Sequence, residues 1–283
     1  MSHSPLRPAT ASRFGQALRH WRRVRGKSQL ALALDADVSP RHISFVETGR
    51  SAPSRAMVLT LATALGVPLR ERNTLLLAAG YAPAYRESDL DAPELGPARQ
   101  ALELILAHQE PYPAVVMNRH WDLLRVNEAA RRLFGRLLDG ASPHHADNVL
   151  RLMFDPRGLR PRVANWEEVA GALVQRVYRE ALGGVLDAAT SELLTAVLAE
   201  PGVPSAWRAP DLSEPLAPFV PVAFELDGHT LAFFSTVTTL GTPQDITLQE
   251  LRVECFFPAD GETASRLASA TGAEAPATVD EPG

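Results

Sequence analysis

Apolar residues recur at helical spacing through the first third of the chain. After Ser12, a residue type that often caps helices, Phe14, Leu18 and Trp21 fall on one face of a predicted helix. Four further apolar-periodic stretches follow, and each is ended by an Asp or a Gly. The pattern therefore predicts five short helices before Gly80.

The second and third predicted helices have the spacing of a helix-turn-helix, in which two helices cross closely at a short turn. Close crossing requires a small side chain, which Ala33 provides, and the turn requires a residue that tolerates positive φ. Asp37 is among the few non-glycine types that do so. Ile43 and Val46 then fall on the inward face of the second helix. These four positions favour a helix-turn-helix over residues 29–48.

The stretch SQLALALDADVSPRHISFVETGRSAPS, which begins at Ser28, resembles the phage-repressor-like, xenobiotic-response-element type of helix-turn-helix. Its marks are the opening Ser-Gln, a Leu-Ala pair, a β-branched residue in the recognition helix and the closing Glu-x-Gly-Arg. Asp37 departs from the family pattern, which has Gly at that position. The resemblance covers about residues 13–80 and implies an all-α, five-helix DNA-binding bundle.

The resemblance also implies which residues contact DNA. The recognition helix, residues 39–48, would lie in the major groove with its first residues near base edges. Gln29 would clamp a phosphate, Arg41 would contact guanine, and Phe45 would lie on a thymine methyl. Arg50 would contact the backbone. The full expected set is Gln29, Ser39, Arg41, His42, Ser44, Phe45, Thr48, Arg50 and Arg55.

Some of these residues have a structural alternative. Ser39 also fits the cap of its own helix, and Phe45 also fits a cover for a neighbouring helix. Arg22 and Glu47 match a family pair that ties the first helix to the recognition helix, and we interpret them as a structural ion pair.

The second half of the chain changes pattern. A Pro-rich stretch at 81–97 is typical of a linker. Two strand-like runs, 113–117 and 121–126, predict a hairpin, and helical patterns fill residues 127–199 with breaks.

Three more strands are predicted near the end. Runs at 219–226 and 230–238 flank Asp227-Gly228, a strong hairpin signal, and 251–257 alternates apolar and polar residues. Short connections favour antiparallel pairing, so the fold class expected is α+β, with a five-stranded antiparallel sheet and helices in the second domain. Strands, helices and strands in this order are also found in PAS-like sensor domains.

Four stretches resemble the MmyB-type regulators, in which a repressor-like module precedes a PAS-like domain taken to be ligand-binding. They are LLLAAGYAPAYRES, AVVMNRHWDLLRVNEAARRLF, ANWEEVAGALVQRVYREA and FFSTVTTLGTPQDITLQELRVECFFPAD. The organisation expected is a disordered arm (1–12), a helix-turn-helix domain (13–80), a linker (81–97), a PAS-like ligand-sensing domain (98–258) and a disordered tail (259–283).

A PAS-like sheet and its helices typically enclose an apolar pocket. The candidate lining residues are Leu124, Phe134, Met153, Phe154, Tyr178, Phe224 and Phe233. For any one of them an ordinary core position is the alternative. Together they favour a small hydrophobic effector, for example an acyl or polyketide-like molecule.

Charge is divided unevenly along the chain. Residues 1–86 hold 13 Lys and Arg against 4 Asp and Glu, a net of +9, whereas the remainder holds 15 against 29, a net of −14. A basic segment beside an acidic one favours an anionic partner for the first, with nucleic acid as the main candidate and a solvated basic face as the alternative.

Composition excludes several classes. Cys255 is the only cysteine, which rules out an intrachain disulfide and disfavours a cysteine zinc site. The chain has no apolar run of about 18–20 residues and no apolar segment near its start, so a cytoplasmic protein without a membrane span or secretory signal is expected. His144-His145-x-Asp147 lies among loop-forming residues, so no metal site is predicted, and no catalytic motif or cofactor-binding loop is found.

The sequence thus favours a transcription regulator that binds double-stranded DNA as a homodimer at a pseudo-palindromic operator. Two alternatives remain open at this point. The chain could be a protein-interaction adaptor of antitoxin type, or an enzyme carrying a DNA-targeting module.

Overall fold

The computed structural model describes residues 8–139, 146–182, 187–209 and 220–271. The chain divides into two compact units. The first, here called the helical unit, contains the chain up to Ser88 together with Thr242–Gln249. The second, here called the sheet unit, contains most of the chain from Asp89 onward.

The helical unit has the five helices that the sequence predicts. They are α1 (Pro8–Val24), α2 (Gln29–Asp35), α3 (Pro40–Glu47), α4 (Arg55–Ala64) and α5 (Leu69–Ala78). The expected start of α1 after Ser12 is wrong, because the helix already begins at Pro8. Proline is well suited to a first helical turn, where its missing N–H is not needed. Of the expected disordered arm, residues 8–12 are therefore helical, and residues 1–7 lie outside the described part.

The apolar stripes of these helices meet in one core. Phe14 and Leu18 of α1 are fully buried, as are Ile43 and Val46 of α3 and Leu61 of α4. Each such side chain contributes about 1.5–3 kcal/mol through removal of its surface from water. The core therefore fixes α3 against α1 through the same residues that the helical pattern singled out.

The sheet unit mixes helices and strands. In chain order its elements are α6 (Gly96–His108), β1 (Ala114–Met117), β2 (Leu123–Val126), α7 (Glu128–Leu137), α8 (Val149–Phe154), α9 (Trp166–Leu182), α10 (Ala188–Leu198), β3 (Val222–Leu226), β4 (His229–Thr238), α11 (Ile246–Glu250), β5 (Arg252–Pro258) and α12 (Gly261–Thr271). Residues 81–97, expected to be a linker, include a short 3-10 turn at Pro93–Leu95, and α6 already begins at Gly96. The first residues of this stretch are bonded to α5, since the side-chain oxygen of Asn73 accepts the N–H groups of Ala84 (2.8 Å) and Tyr85 (3.1 Å).

The five strands form one antiparallel sheet in the order β2-β1-β5-β4-β3. The β3–β4 hairpin turns at Asp227 and Gly228, whose φ angles are 53° and 78°. Both angles are positive, as the tight two-residue hairpin turn requires. In β5, Val253 and Cys255 are buried and their neighbours are less so, which is the predicted alternation. The two-domain α+β fold class is confirmed.

The end of the sheet unit corrects an expectation. Residues from 259 onward were expected to be disordered, but Gly261–Thr271 is the helix α12. Asp260 caps it by accepting the N–H of Thr263 (2.7 Å), and the buried Thr263 hydroxyl accepts the N–H of Ala232 in β4 (3.0 Å). Leu267 packs against the core of the sheet unit and is the only large apolar residue of this helix, so the segment was not distinguished from a polar tail. Residues 272–283 lie outside the described part.

The connection between β4 and β5 belongs to the helical unit. Within Thr242–Gln249, the N–H of Ile246 donates to the carbonyl of Arg86 (2.8 Å). The side-chain oxygen of Gln249 accepts the N–H of Leu69, the first residue of α5, at 2.6 Å. The residue before α5 supplies no side-chain cap of its own. Gln249 therefore satisfies a helix end from far along the chain.

Candidate nucleic-acid interface

The start of α3 is set by its own sequence. The hydroxyl oxygen of Ser39 accepts the N–H of His42 (3.2 Å), and Pro40 occupies the first helical turn. Both features are typical of a helix N-terminus. Ser39 therefore caps α3, as the structural alternative proposed, while its side chain stays exposed.

The turn before α3 has the geometry that the sequence required. Asp37 adopts φ of 52°, and the N–H of Val38 donates to the carbonyl of Ala33 (2.9 Å). Ala33 is buried in the crossing of α2 with its neighbours. An aspartate thus adopts the left-handed conformation for which glycine is more usual.

A glycine that sequence reasoning did not single out brings α1 against α3. A Cβ atom added to Gly15 would lie 2.6 Å from the carbonyl oxygens of Val46 and Glu47. No real Cβ approaches an oxygen so closely, so only glycine allows this crossing. The available signal was an isolated glycine within an otherwise helical pattern.

Glu47 is a buried charge at the end of α3. Its carboxylate accepts hydrogen bonds from Arg22 Nε (2.6 Å) and Nη2 (3.1 Å) and from Gln29 Nε2 (2.8 Å), with Arg19 Nε at 3.4 Å. Burial alone would raise the pKa of Glu47, but the hydrogen bonds and the two arginine charges outweigh it and hold the pKa below its ordinary value. The predicted Arg22–Glu47 pair is confirmed, and its hydrogen bond raises the pKa of Arg22.

The same contacts place Gln29, for which the family resemblance implied a phosphate clamp. Its amide N–H₂ donates one hydrogen bond to Glu47, and the side chain is half-buried at the start of α2. An amide has two N–H donors, so one remains for a phosphate oxygen.

The outer surface of α3 and its flanks carries the other expected DNA contacts. Exposed side chains are those of Ser39, Arg41, Thr48, Arg50 and Arg55, and half-buried ones are those of His42, Ser44 and Phe45. The Thr48 hydroxyl donates to the carbonyl of Ser44 (2.7 Å), so it also closes the helix.

The arginines on this surface differ from the half-buried Arg22 in that they have no carboxylate partner in the described part of the chain. Among the described residues, Arg41, Arg50 and Arg55 have no carboxylate partner, whereas Arg22 is paired with Glu47. Unpaired guanidinium groups attract phosphates and bind them in a bidentate manner. The arrangement therefore presents cationic side chains beside a short helix whose first residues are exposed.

The seven candidate pocket residues of the sheet unit belong mainly to its core. Met153, Phe154, Phe224 and Phe233 are buried, while Phe134 and Tyr178 pack partly buried against the same cluster and Leu124 is half-buried. Phe134 and Phe224 have ring centroids 6.4 Å apart, and Phe224 and Phe233 6.1 Å. Their rings thus fill the interior by packing on one another.

A cleft of the sheet unit is lined by residues other than these seven candidates. It has a volume of about 1070 Å³ and lies among α7, the β3–β4 hairpin and α12. Its apolar wall includes Leu133, Leu226, Leu231 and Leu267, and Arg136 stands among its polar residues. Of the seven candidates, Phe154 lines a separate cavity of about 470 Å³. Sequence reasoning missed the cleft because it depends on α12, whose presence was not expected.

Metal binding and thiol chemistry depend on the His, Cys, Asp and Glu side chains of the described residues. No group of three or more His, Cys, Asp or Glu side chains there could hold a metal ion, and His144 and His145 lie outside the described part. Cys255 is buried, and burial together with the charge of Glu254 raises the pKa of its thiol, which disfavours the reactive thiolate. None of the described helices is long and apolar enough to span a bilayer.

Two solved regulators are similar to part of the chain. The restriction-modification controller protein C.AhdI from Aeromonas hydrophila is 37% identical, covers 22% of this chain and 94% of its own, and has a TM-score of 0.21. The clp gene regulator ClgR from C. glutamicum is 30% identical, covers 27% of this chain and 92% of its own, and has a TM-score of 0.23. No curated protein matches the chain.

Two protein families match successive parts of the chain. Residues 13–75 match a helix-turn-helix domain, and residues 98–270 match the MmyB-like transcription regulator ligand binding domain. The second match extends through α12 and covers more than half of the chain. With the helix-turn-helix geometry and the antiparallel sheet described above, these matches show a DNA-binding transcription regulator modulated by a ligand, and the chain belongs to the MmyB-like transcription regulators.

Proposed function

We propose that the protein is a sequence-specific regulator that inserts α3 into the major groove of double-stranded DNA. The observation that carries this proposal is the group of three exposed arginines without carboxylate partners among the described residues: Arg41 in the first turn of α3, Arg50 just after its end and Arg55 at the start of α4. Side chains near the start of such a helix reach base edges, and those at its flanks reach phosphates.

Roles can be assigned by position within this surface. Arg41, in the first turn of α3, reads a base, and Arg50, beyond its last turn, contacts a phosphate. The other residues proposed for the DNA-binding surface are Gln29, Ser39, His42, Ser44, Phe45, Thr48 and Arg55, and among them the ring of Phe45 lies against Arg41 and Arg50. For Gln29, Ser39 and Thr48 this role is additional to the bonds that they already make within the helical unit.

The experiment for Arg41 compares sequences. Arg41→Ala is expected to weaken binding to a duplex selected by the wild-type protein by about 1–3 kcal/mol and to relax preference at one base pair. Affinities are measured by fluorescence anisotropy for the selected duplex and for all its single-base variants. An equal loss on every variant would exclude base reading by Arg41.

The experiment for Arg50 varies the salt concentration. Arg50→Ala is expected to weaken all duplexes alike and to reduce the slope of log affinity against log salt by about one charge. An unchanged slope would remove Arg50 from the phosphate contacts. If the wild-type protein binds no duplex at low ionic strength, the proposal as a whole fails.

We further propose that the regulator acts as a homodimer in the cytoplasm, without catalytic activity. Two copies of α3 about 34–36 Å apart would reach successive major grooves of a pseudo-palindromic operator. The matched families are those of transcription regulators, which supports regulation rather than catalysis.

The effector of the sheet unit is proposed to be a small hydrophobic molecule. The cleft among α7, the β3–β4 hairpin and α12 supports this, because leucines from all three elements line it. Apolar side chains with a few polar groups are typical of small-molecule sites.

The β4–β5 connection offers a route for the effector's influence. Thr242–Gln249 belongs to the helical unit, yet β4 and β5, which it joins, belong to the sheet. A ligand that favours one arrangement of these strands would thereby bias the segment that caps α5.

A further inference from the structure

Phe45 stands between two of the proposed DNA-contacting arginines. The guanidinium carbon of Arg41 lies 5.1 Å from the centroid of its ring, and that of Arg50 lies 6.0 Å from it. Both distances are within the range of a cation–π interaction. The sequence-based expectation was that the ring lies on a thymine methyl. It did not include these two contacts with arginine side chains.

The contact with Arg41 follows from helix geometry. Arg41 and Phe45 are four residues apart within Pro40–Glu47, so their side chains lie on the same face of α3. Arg41 is exposed and the ring is half-buried. The ring therefore lies against the stem and head of a side chain that would otherwise be free in solvent.

The contact with Arg50 follows from the way α3 ends. Gly49 has φ of 72°, the N–H of Gly49 donates to the carbonyl of Val46 (3.1 Å), and the N–H of Arg50 donates to that of Phe45 (2.8 Å). This pair of bonds is the Schellman motif, in which the residue after the glycine packs on the residue five positions earlier. That packing is usually hydrophobic, and here a guanidinium group lies on an aromatic ring.

We propose that Phe45 is a positioning residue that orders Arg41 and Arg50 together for DNA. It restricts one arginine assigned to a base and one assigned to a phosphate, so part of the entropy of ordering two long side chains is lost before DNA arrives. The inference rests on the proposed function and adds that the ring acts through the arginines rather than through its own contact with a base.

The test is a mutant cycle in the full chain. Phe45→Leu keeps an apolar side chain without the aromatic face, and Phe45→Tyr keeps the face. The probe is a duplex recovered with the wild-type protein from a random-sequence pool. Affinities are measured at low ionic strength in the wild type and in an Arg41→Ala, Arg50→Ala background, and thermal unfolding checks that each variant is folded.

Phe45→Leu is expected to weaken binding about fivefold to twentyfold, since each exposed cation–π contact is worth a factor of about two to five. Phe45→Tyr should stay within about twofold of the wild type. In the background without the two arginines, Phe45→Leu should have almost no effect. An equal loss in that background would mean that the ring contacts DNA directly and would overturn the proposal, as would no loss in the wild type. Failure of the wild type to bind any duplex is a separate result, which removes the proposed function itself.

Discussion

At the scale of single residues, the buried charge of Glu47 stabilises the packing of the helical unit. Glu47 joins the end of α3 to α1 through Arg22 and to α2 through Gln29. Removing one member of such a group leaves the others buried without a partner, which costs more than the loss of a surface ion pair. The buried carboxylate therefore ties the proposed recognition helix to α1 and α2.

Glu47→Gln is expected to lower the free energy of unfolding by about 3 kcal/mol at neutral pH. The pKa of Glu47 is depressed in the folded state, so its stabilising effect is complete above the ordinary glutamate pKa of about 4.3. As the pH falls through the lower folded pKa, the carboxylate takes up a proton and this effect is lost. Denaturant unfolding at neutral and at acid pH measures the loss of unfolding free energy in Glu47→Gln and its disappearance as the pH falls.

The control for Glu47 is the surface pair of Lys27 Nζ and Asp35 Oδ2, which are 2.6 Å apart. Asp35→Asn should cost less than about 1 kcal/mol because both side chains are partly exposed to water. A difference between wild type and Glu47→Gln that stays constant down to strongly acid pH would contradict the role given to the Glu47 charge.

Elements were predicted well from the sequence where their signals are local. The caps of α2 and α3 are Ser28 and Ser39, and each accepts a backbone N–H of the first helical turn. Asp227-Gly228 likewise specifies its hairpin through its own φ angles. The helix α12 also has a local cap, Asp260, but Leu267 is its only large apolar residue, and the N–H of Ala232 that anchors it lies far away along the chain.

The candidate sites also differ in whether their residues are placed by local or by non-local contacts. Exposure of Arg41 follows from the periodicity of a single helix, so the sequence was sufficient to place it outside. The large cleft is formed by side chains from distant parts of the chain, such as Leu133 and Leu267, and no periodicity encodes which of them meet. The hydrogen bond between Gln29 and Glu47 is also non-local. The sequence therefore did not predict that Gln29, expected to clamp a phosphate, already donates one hydrogen bond to a carboxylate.

Packing between elements depends on the close approach of α1 and α3. Gly15→Ala would push a methyl carbon against the backbone oxygens of Val46 and Glu47, so we expect a loss of about 1–3 kcal/mol in unfolding free energy. The matched control is Gly135→Ala in α7, where an added Cβ meets nothing within 4 Å. That change should stabilise by about 0.5–1 kcal/mol through helix propensity. Thermal and denaturant unfolding measure the change in unfolding free energy of both variants. A stabilised Gly15→Ala would contradict the close crossing of α1 and α3.

At the scale of the whole molecule, the path of the chain links the two units more than once. The chain passes from the helical unit at Ser88 and returns to it for Thr242–Gln249 before β5 begins. A regulator of this kind needs an element whose state both sites can bias. The β4–β5 connection, which we propose for this role, is covalently continuous with two strands of the sheet unit, and its Gln249 accepts the N–H of Leu69.

Gln249→Leu tests that hydrogen bond directly. It leaves the N–H of Leu69 without its acceptor, so hydrogen exchange at this amide should accelerate and the unfolding free energy should fall by about 0.5–2 kcal/mol. Gln244→Leu, an exposed position in the same segment, should change neither quantity. Exchange at Leu69 is followed by NMR in the full chain. If the amide exchanges equally fast in the wild type and in Gln249→Leu, the segment does not cap α5. The proposed influence of the β4–β5 connection on α5, which packs beside α1 and α4, would then have no support.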